Sequence, residues 1–284
     1  MVKSMSELWL RNPEGADLMA AKLLLQISDC HWMPQAGGLF RDQDPEAQLK
    51  ALIAQLLDEA IYPDLLVLTG DLVHHGAAER YQALLAALAA LPCPKIWLPG
   101  NHDDRTAMQE VERKAPAELS RTRCLLGAWQ LVCLDSTYAA DGRGAGYLSP
   151  ASWQVLAEIR SEPQQMPVLL MLHHHPLPTG TDWQDAIMLQ DAELLWAYLQ
   201  EVPRVKGLIC GHLHRALYWQ HQGIEVWSAP STALQFSPAC GHAEVEHLLP
   251  ASLPGVNLYH LHDDGRIECE VRRLASAWHD APQG

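Results

Sequence analysis

The chain has 284 residues, of which 48% are hydrophobic and 19% charged, and its formal net charge is −14 with histidine neutral. This composition excludes a disordered chain. The acidic balance argues against capture of nucleic acid or of an anionic membrane surface, so we expect neither as a partner. An anionic substrate would need a local positive charge that the net charge conceals.

Histidine and cysteine usage narrows the class further. The chain contains 15 histidines, and histidine is the commonest metal ligand among side chains. The seven cysteines form no C-x-x-C pair and are odd in number, which indicates buried thiols in a reducing compartment. The first 20 residues lack the pattern of a signal peptide, and the longest apolar run is too short to span a bilayer. We therefore expect a cytoplasmic protein.

In the first part of the chain, short apolar runs alternate with helical patterns. The pattern predicts, in order, a strand, a helix, a strand, a helix and a strand at Leu23–Ser28, Pro45–Ala60, Leu65–Thr69, Ala77–Leu91 and Lys95–Leu98. Strands that are apolar throughout and separated by helices are typical of a parallel sheet covered on both faces.

The second part begins with a hairpin around Gly127 and ends with two more hairpins. Between them, Ser149 as N-cap and Pro150 as first helical residue open a helix that runs to about Glu162. The remaining predicted elements are a strand at Gln130–Leu134, a strand at Val168–Leu172, a helix at Asp191–Val202, a strand at Val205–Cys210, and the hairpins Ala216–Gln220 with Ile224–Trp227 and Val256–His262 with Arg266–Arg273. Because no flexible linker divides the chain, we expect one α/β domain with two sheets packed face to face and helices outside.

Five polar clusters each lie directly after a predicted strand. Because ligands of open α/β sheets bind at the carboxyl ends of strands, five strand ends can deliver these side chains to one crevice. The clusters are Asp29-Cys30-His31, Gly70-Asp71, Gly100-Asn101-His102-Asp103, His173-His174-His175 and Gly211-His212-Leu213-His214.

The residue types in these clusters suit a transition metal. Their oxygen and nitrogen donors favour Mn, Fe, Zn or Co over a thiolate-selected metal. In an extended segment, residues two apart face the same side, so Asp29 and His31 can share an ion while Cys30 points away. The glycines would let the backbone turn sharply and approach a ligand closely.

Taken singly, each cluster has an ordinary structural explanation. An Asp-x-His is usually a surface turn, Gly-Asp is common turn chemistry, and consecutive histidines also occur in exposed loops. Two histidines after a buried strand, His212 and His214, are costlier to leave unpaired. All five clusters, each after an apolar strand, together favour a metal centre.

In this order the clusters spell D-x-H, G-D, G-N-H-[D/E], H and G-H-x-H, and the chain thereby resembles the calcineurin-like metallophosphoesterases over about residues 23 to 215. Longer stretches at 98–103, 172–178 and 230–236 are similar to the bacterial class III 3′,5′-cyclic-AMP phosphodiesterases. The resemblance implies a four-layer αββα sandwich of two mixed sheets. We expect an N-terminal extension at 1–22, a single domain at 23–274 and a tail at 275–284.

The resemblance also implies a ligand set for two divalent transition-metal ions per subunit. One ion would be held by Asp29, His31, Asp71 and His214, and the other by Asp71, Asn101, His173 and His212, with Asp71 bridging. His102 would donate to the phosphoryl oxygen or the departing alkoxide, with Asp103 as its orienting partner. Substrate would contact His31, Asn101, His102 and His214, while His174 and His175 would support the ligands or touch the substrate.

The expected function is hydrolysis of a 3′,5′-cyclic nucleotide, foremost cyclic AMP to 5′-AMP, by attack of a metal-bridging hydroxide. A phosphodiesterase or phosphatase of broader specificity and a non-catalytic metal-binding module are the alternatives. Cys30 departs from the class III phosphodiesterases, which usually carry Thr there. We expect His74 and His75 to be solvated loop residues, and Trp32 and Trp183 to be half-buried cover unless a base stacks on one of them.

Overall fold

A computed structural model describes residues 3–4, 21–114, 119–163, 166–238 and 241–275 of the chain. Its helices are α1 (Pro45–Asp58), α2 (Ala78–Leu88), α3 (Arg105–Lys114), α4 (Pro150–Ser161), α5 (Asp182–Asp185) and α6 (Ala192–Leu199). Its strands are β1 (Lys3–Ser4), β2 (Lys22–Ile27), β3 (Leu65–Thr69), β4 (Lys95–Leu98), β5 (Arg123–Leu126), β6 (Trp129–Cys133), β7 (Val168–Met171), β8 (Val205–Cys210), β9 (Leu217–His221), β10 (Ile224–Ser228), β11 (Gly255–Leu261) and β12 (Ile267–Arg273).

The strands form two mixed sheets. The first has the order β1-β9-β10-β8-β7-β6-β5, and the second has the order β12-β11-β2-β3-β4. Strands β2, β3 and β4 are parallel to one another, as are β6, β7, β8 and β10. The hairpins β5–β6, β9–β10 and β11–β12 supply antiparallel edges, as the sequence predicts.

Alternate residues of each central strand contribute to different cores. Leu66 and Leu68 of β3 pack in a cluster with residues of α1, α2 and α3, whereas Val67 packs with residues of the other sheet. On the far side, Leu170 of β7 joins a cluster with residues of α4 and α6. Strands apolar on both faces are therefore buried on both faces, and the predicted four-layer αββα arrangement is confirmed.

Two helices were not expected from the sequence. Helix α3 buries only Ala107, Met108 and Val111, and its other residues are polar or charged, so the segment as a whole is not apolar. Its start is nonetheless encoded, because the Asp104 carboxylate accepts from the backbone N–H groups of Thr106 and Ala107. Helix α5 has only four residues. Within the described ranges, no helix combines the length and the apolar character that crossing a bilayer requires.

Candidate metal centre

The five polar clusters meet where strands of both sheets end. Those after β2, β3 and β4 come from one sheet, and those after β7 and β8 come from the other. Two groups of buried side chains have ligand atoms within 4.8 Å of one another, and they are Asp29 with His31 and His214, and Asp71 with His173 and His212. These groups match the two halves of the ligand set that the sequence predicts.

The backbone reaches this arrangement by a different route from the one expected. Five of the six residues have positive φ angles, namely Asp29 at 52°, His31 at 45°, Asp71 at 53°, His212 at 74° and His214 at 52°. The segment Asp29–His31 is therefore not extended. The prediction that extended backbone places Asp29 and His31 on the same side is wrong, although the two side chains do lie together. Left-handed conformations are sparsely populated by non-glycine residues and are typical of functional sites.

The turns after β3 and β4 pack so closely that position 100 has no room for a side chain. A Cβ atom on Gly100 would lie 2.2 Å from Oδ1 of Asp71 and 2.3 Å from the Asp71 backbone nitrogen. The backbone N–H of His102 also donates to Asp71 Oδ1, at 2.8 Å. The turn after β4 thus holds the Asp71 carboxylate directly, which only a glycine at position 100 allows.

The ligand atoms of the two groups lie at spacings expected around metal ions. In the first group, Nε2 of His31 and Nε2 of His214 are 3.0 Å apart, and His214 Nε2 lies 3.5 Å from Oδ1 of Asp29. Oδ2 of Asp71 lies 3.6 Å from His31 Nε2 and 3.4 Å from His173 Nε2. The Asp71 carboxylate therefore stands between both groups, where a bridging ligand belongs.

The second group includes Asn101 as well. His173 Nε2 lies 3.0 Å from Asn101 Oδ1 and 3.1 Å from His212 Nδ1. Asn101 supplies a neutral oxygen donor, so this group gains a ligand without gaining charge.

Backbone carbonyls determine the tautomers of three histidines, because a carbonyl can only accept a hydrogen bond. His173 Nδ1, His212 Nε2 and His214 Nδ1 donate to the carbonyl oxygens of Thr69, Ile187 and Leu234 at 2.8, 3.0 and 2.8 Å. The opposite nitrogen of each ring turns toward the other ligand atoms. Such hydrogen bonds are typical of metal-ligating histidines.

The electrostatics of the centre call for positive charge. Burial raises the pKa of Asp29 to about 7, because the carboxylate loses its water. Burial would also raise the pKa of Asp71, but His173 holds it well below its usual range. Burial works to lower the pKa of His173, yet Asp71 and Asp29 raise it to about 9.

The pKa values of His31 and His214 are lowered, whereas that of His173 is raised. Burial lowers the pKa of His214 to about 3 and that of His31 well below its usual value. Their nitrogens are therefore neutral donors at physiological pH. Two carboxylates, four imidazoles and one amide oxygen converge on buried positions, and this donor set fits two divalent transition-metal ions.

His102 lies beside the centre, half-buried, with its ring 5.3 Å from that of His31 between centroids. Its expected orienting partner, Asp103, is occupied elsewhere. The Asp103 carboxylate accepts from the backbone N–H groups of Leu72 and Gly100 at 3.0 and 2.9 Å, and from the Tyr81 hydroxyl at 2.9 Å. Asp103 thus ties the turn after β4 to the turn after β3.

The ring of His102 instead contacts a residue that the sequence placed in solvent. His102 Nδ1 lies 3.2 Å from Nε2 of His75. His74 is half-buried, and its Nδ1 lies 3.1 Å from Nδ1 of His31. The expectation of a solvated loop residue is therefore wrong for His74. His75 is exposed, but its ring contacts that of His102. Their position three and four residues after Asp71 was the available signal.

His174 and His175 lie behind the ligands, fully buried. His174 Nε2 donates to the Gly144 carbonyl at 3.0 Å, and its Nδ1 lies 2.8 Å from the Ser136 hydroxyl. The His175 ring is stacked 5.7 Å from that of His212. Both rings pack against the ring of His212, and neither residue lines the cavity above the two groups.

A cavity of about 620 Å³ opens over the centre. It is lined by all four residues expected to contact substrate, which are His31, Asn101, His102 and His214. Two arginines, Arg41 and Arg143, and the aromatic residues Phe40, Trp183 and Phe236 also line it. The arginines bring positive charge to a site in an acidic protein.

Two residues near the centre face away from the cavity. Trp32 is 1% exposed, with Lys50 and Arg80 packed over its ring, so it is not available to stack on a base. Cys30 joins the core beneath the helices, as expected, and burial raises the pKa of its thiol to about 12.

The sequence matches the family model of the calcineurin-like phosphoesterases over residues 23–216. A relative from Vibrio vulnificus, named 3′,5′-cyclic adenosine monophosphate phosphodiesterase CpdA, is 34% identical over 253 residues, covering 89% of this chain and 90% of the relative. A relative of the same name from Pseudomonas aeruginosa is 31% identical, covering 90% of this chain and 91% of the relative.

Solved structures show the same fold at low sequence identity. A dimetal phosphatase from Danio rerio has a TM-score of 0.57 and 15% identity, covering 90% of this chain and 97% of that one. A purple acid phosphatase from yellow lupin seeds has a TM-score of 0.61 and 12% identity, covering 95% of this chain and 53% of that one.

Proposed function

Because this chain belongs to the calcineurin-like phosphoesterase family, we propose that it hydrolyses a 3′,5′-cyclic nucleotide, with cyclic AMP converted to 5′-AMP as the foremost reaction. The observation that carries the proposal is the convergence of two buried Asp/His groups and Asn101 beneath one cavity. The relatives named as cyclic AMP phosphodiesterases support the choice of substrate.

Enzymes of this family use two divalent metal ions. We assign Asp29, His31, Asp71 and His214 to one ion and Asp71, Asn101, His173 and His212 to the other. Fe, Mn, Zn and Co suit these nitrogen and oxygen donors. When bound, two such ions supply a water nucleophile activated near neutral pH and neutralise charge on the phosphoryl group.

Bound divalent ions would make the centre positively charged within an acidic protein. Two such ions with the carboxylates of Asp29 and Asp71 would leave a net charge of about +2 there. Arg41 and Arg143 add positive charge at the cavity wall. A cyclic phosphodiester carries one negative charge, so the site attracts it while the surface as a whole repels anions.

His102 is assigned to the departing oxygen. Its ring lines the cavity beside Asn101, and its backbone N–H is held by the Asp71 carboxylate. Opening a cyclic phosphodiester expels a ribose alkoxide, which benefits from a proton in the transition state. Asp103 serves this step by holding the backbone of Gly100 and Leu72, and therefore the position of the turn that carries His102.

The described cysteines support a reducing location. Each of the six cysteines within the described ranges carries a free thiol, at positions 30, 93, 124, 133, 210 and 269. We assign the protein to the cytoplasm on this basis, and its substrate is then an intracellular nucleotide.

A substrate panel tests the proposal. Metal-loaded protein is assayed on cyclic AMP, cyclic GMP, a linear nucleotide diester and 5′-AMP, with ion content measured on the same sample. We expect two ions per chain and the highest kcat/KM for cyclic AMP. Higher kcat/KM on the linear diester or on the monoester would replace the proposal with a diesterase or phosphatase of broader specificity. Two bound ions without turnover of any substrate would indicate a non-catalytic metal-binding module.

Asp71→Asn tests the bridging assignment. The substitution keeps the shape of the side chain and removes the charge that serves both ions. We expect both ions to dissociate more readily than from the unmodified protein, measured by equilibrium dialysis over a range of metal concentrations. If one ion keeps its affinity, Asp71 does not bridge.

A further inference from the structure

His74 is not among the assigned ligands, although its ring lies beside those of His31 and His102. Its ring centroid lies 5.3 Å from that of His31, 5.3 Å from that of Phe40 and 4.5 Å from that of His102. The backbone also holds this residue in place, because its N–H donates to the Trp32 carbonyl at 2.9 Å. The ring is therefore positioned by its surroundings rather than free in solvent.

The other histidine ligands show what a ring in this centre requires. His173, His212 and His214 each donate one ring N–H to a backbone carbonyl, which leaves the opposite nitrogen facing the ligand cluster. Each of these three orientations depends on main-chain atoms that no side-chain substitution removes.

His31 differs from them. Its Nε2 faces the cluster, 3.0 Å from His214 Nε2 and 3.6 Å from Asp71 Oδ2. Its other nitrogen, Nδ1, lies 3.1 Å from Nδ1 of His74. If Nε2 offers its lone pair to an ion, the ring proton of His31 must be on Nδ1. That N–H then requires an acceptor, and the atom within hydrogen-bond distance is His74 Nδ1.

We propose that His74 is a positioning residue, which accepts the Nδ1–H hydrogen bond of His31 and thereby sets the affinity of the Asp29–His31–His214 site for its ion. The inference rests on the ligand set assigned above. In this arrangement the His74 proton is on Nε2, and its Nδ1 lone pair holds the His31 ring in the plane that its Nε2 needs.

An imidazole acceptor has a consequence for charge. Partners of metal-bound histidines are often carboxylates, which would add a negative charge beside the centre. A neutral His74 orients His31 and leaves the positive charge of the site undiminished. Loss of such a partner typically weakens metal binding about 10- to 100-fold.

Three variants test the role, with metal binding as the readout. His74→Ala removes the acceptor, whereas His74→Asn retains a carbonyl oxygen close to the position of Nδ1. His75→Ala is the matched control, since it truncates the neighbouring histidine, whose ring contacts those of His102 and His74 but no assigned ligand. Zn²⁺ is titrated into metal-free protein against a chromophoric chelator, and bound ions are counted after dialysis.

We expect His74→Ala to bind one of its two ions about 10- to 100-fold more weakly and the other with unchanged affinity. His74→Asn and His75→Ala should bind both ions within about threefold of the unmodified protein. Equal weakening in His74→Ala and His75→Ala, or no weakening in His74→Ala, would overturn the proposal. Circular dichroism of the metal-free variants checks folding, and the tautomer measurement on unmodified protein provides the test if the Ala variant does not fold.

The tautomer is a second and independent readout. In ¹⁵N-labelled, Zn²⁺-loaded protein, the long-range ¹H–¹⁵N spectrum should assign the His31 proton to Nδ1 and the His74 proton to Nε2. A His31 proton on Nε2 would overturn the proposal. Unmodified protein that binds fewer than two ions would instead refute the assigned centre, so the two failures are distinguishable.

Discussion

Replacing Gly100 with alanine should disable the centre with no change to any proposed ligand. The added Cβ would lie 2.2 Å from Oδ1 and 2.3 Å from the backbone nitrogen of Asp71. An ordinary contact requires the carboxylate to retreat by about 1 Å. Because one of the two crowded atoms belongs to the main chain, rotation of the Asp71 side chain cannot relieve both contacts.

The magnitude follows from what Asp71 does. A displacement of about 1 Å in a catalytic group typically costs about 100-fold in rate, and overpacking typically destabilises the fold by about 1–3 kcal/mol. We therefore expect Gly100→Ala to lose at least about 100-fold in kcat/KM on cyclic AMP. Its affinity for both ions should fall, since the displaced carboxylate stands between the two groups.

The assay pairs steady-state kinetics at saturating metal with urea unfolding of the metal-free protein. Gly241→Ala is the matched control, because a Cβ there meets nothing within 4 Å. Near-normal activity and metal content in Gly100→Ala would refute the reasoning, since it would show that the turn after β4 can move without disturbing Asp71.

The remaining predictions concern chemistry, metal and core. His102→Ala should retain both ions and lose about 10²- to 10⁴-fold on cyclic AMP but much less on bis(p-nitrophenyl) phosphate, whose leaving group needs no proton; equal losses would favour stabilisation of phosphoryl charge instead. Removing the ions with a chelator should lower the thermal unfolding midpoint. Each ion, added back at 100-fold excess over its Kd, should raise the free energy of unfolding by about 3 kcal/mol. A midpoint that does not depend on metal would contradict the assignment. Arg204→Met should cost about 2 kcal/mol in urea unfolding, because Arg204 is buried and donates to Glu162 and Gln130, whereas the half-exposed Arg160→Met should change little.

Much of the fold is encoded in local patterns. Apolar strands such as Leu65–Thr69 can only be satisfied by burial on both faces, so their alternation with helices already implies covered parallel strands. The ends of those strands carry Asp29, Asp71, Asn101, His173, His212 and His214. The topology of parallel strands brings such ends together. For these residues, order along the chain and the chemistry of the donors were sufficient to predict that they converge.

What the tertiary structure alone decided depends on contacts between segments distant in sequence. Only the folded turns show that His74 faces His31 and that His75 faces His102, because both partners come from other strands of the sheet. The oxygens of Asp103 are likewise taken by amides of another turn, which sequence proximity to His102 does not reveal. Side-chain chemistry is local and legible in a sequence, whereas hydrogen-bond partnership depends on distances that the packing of two sheets determines.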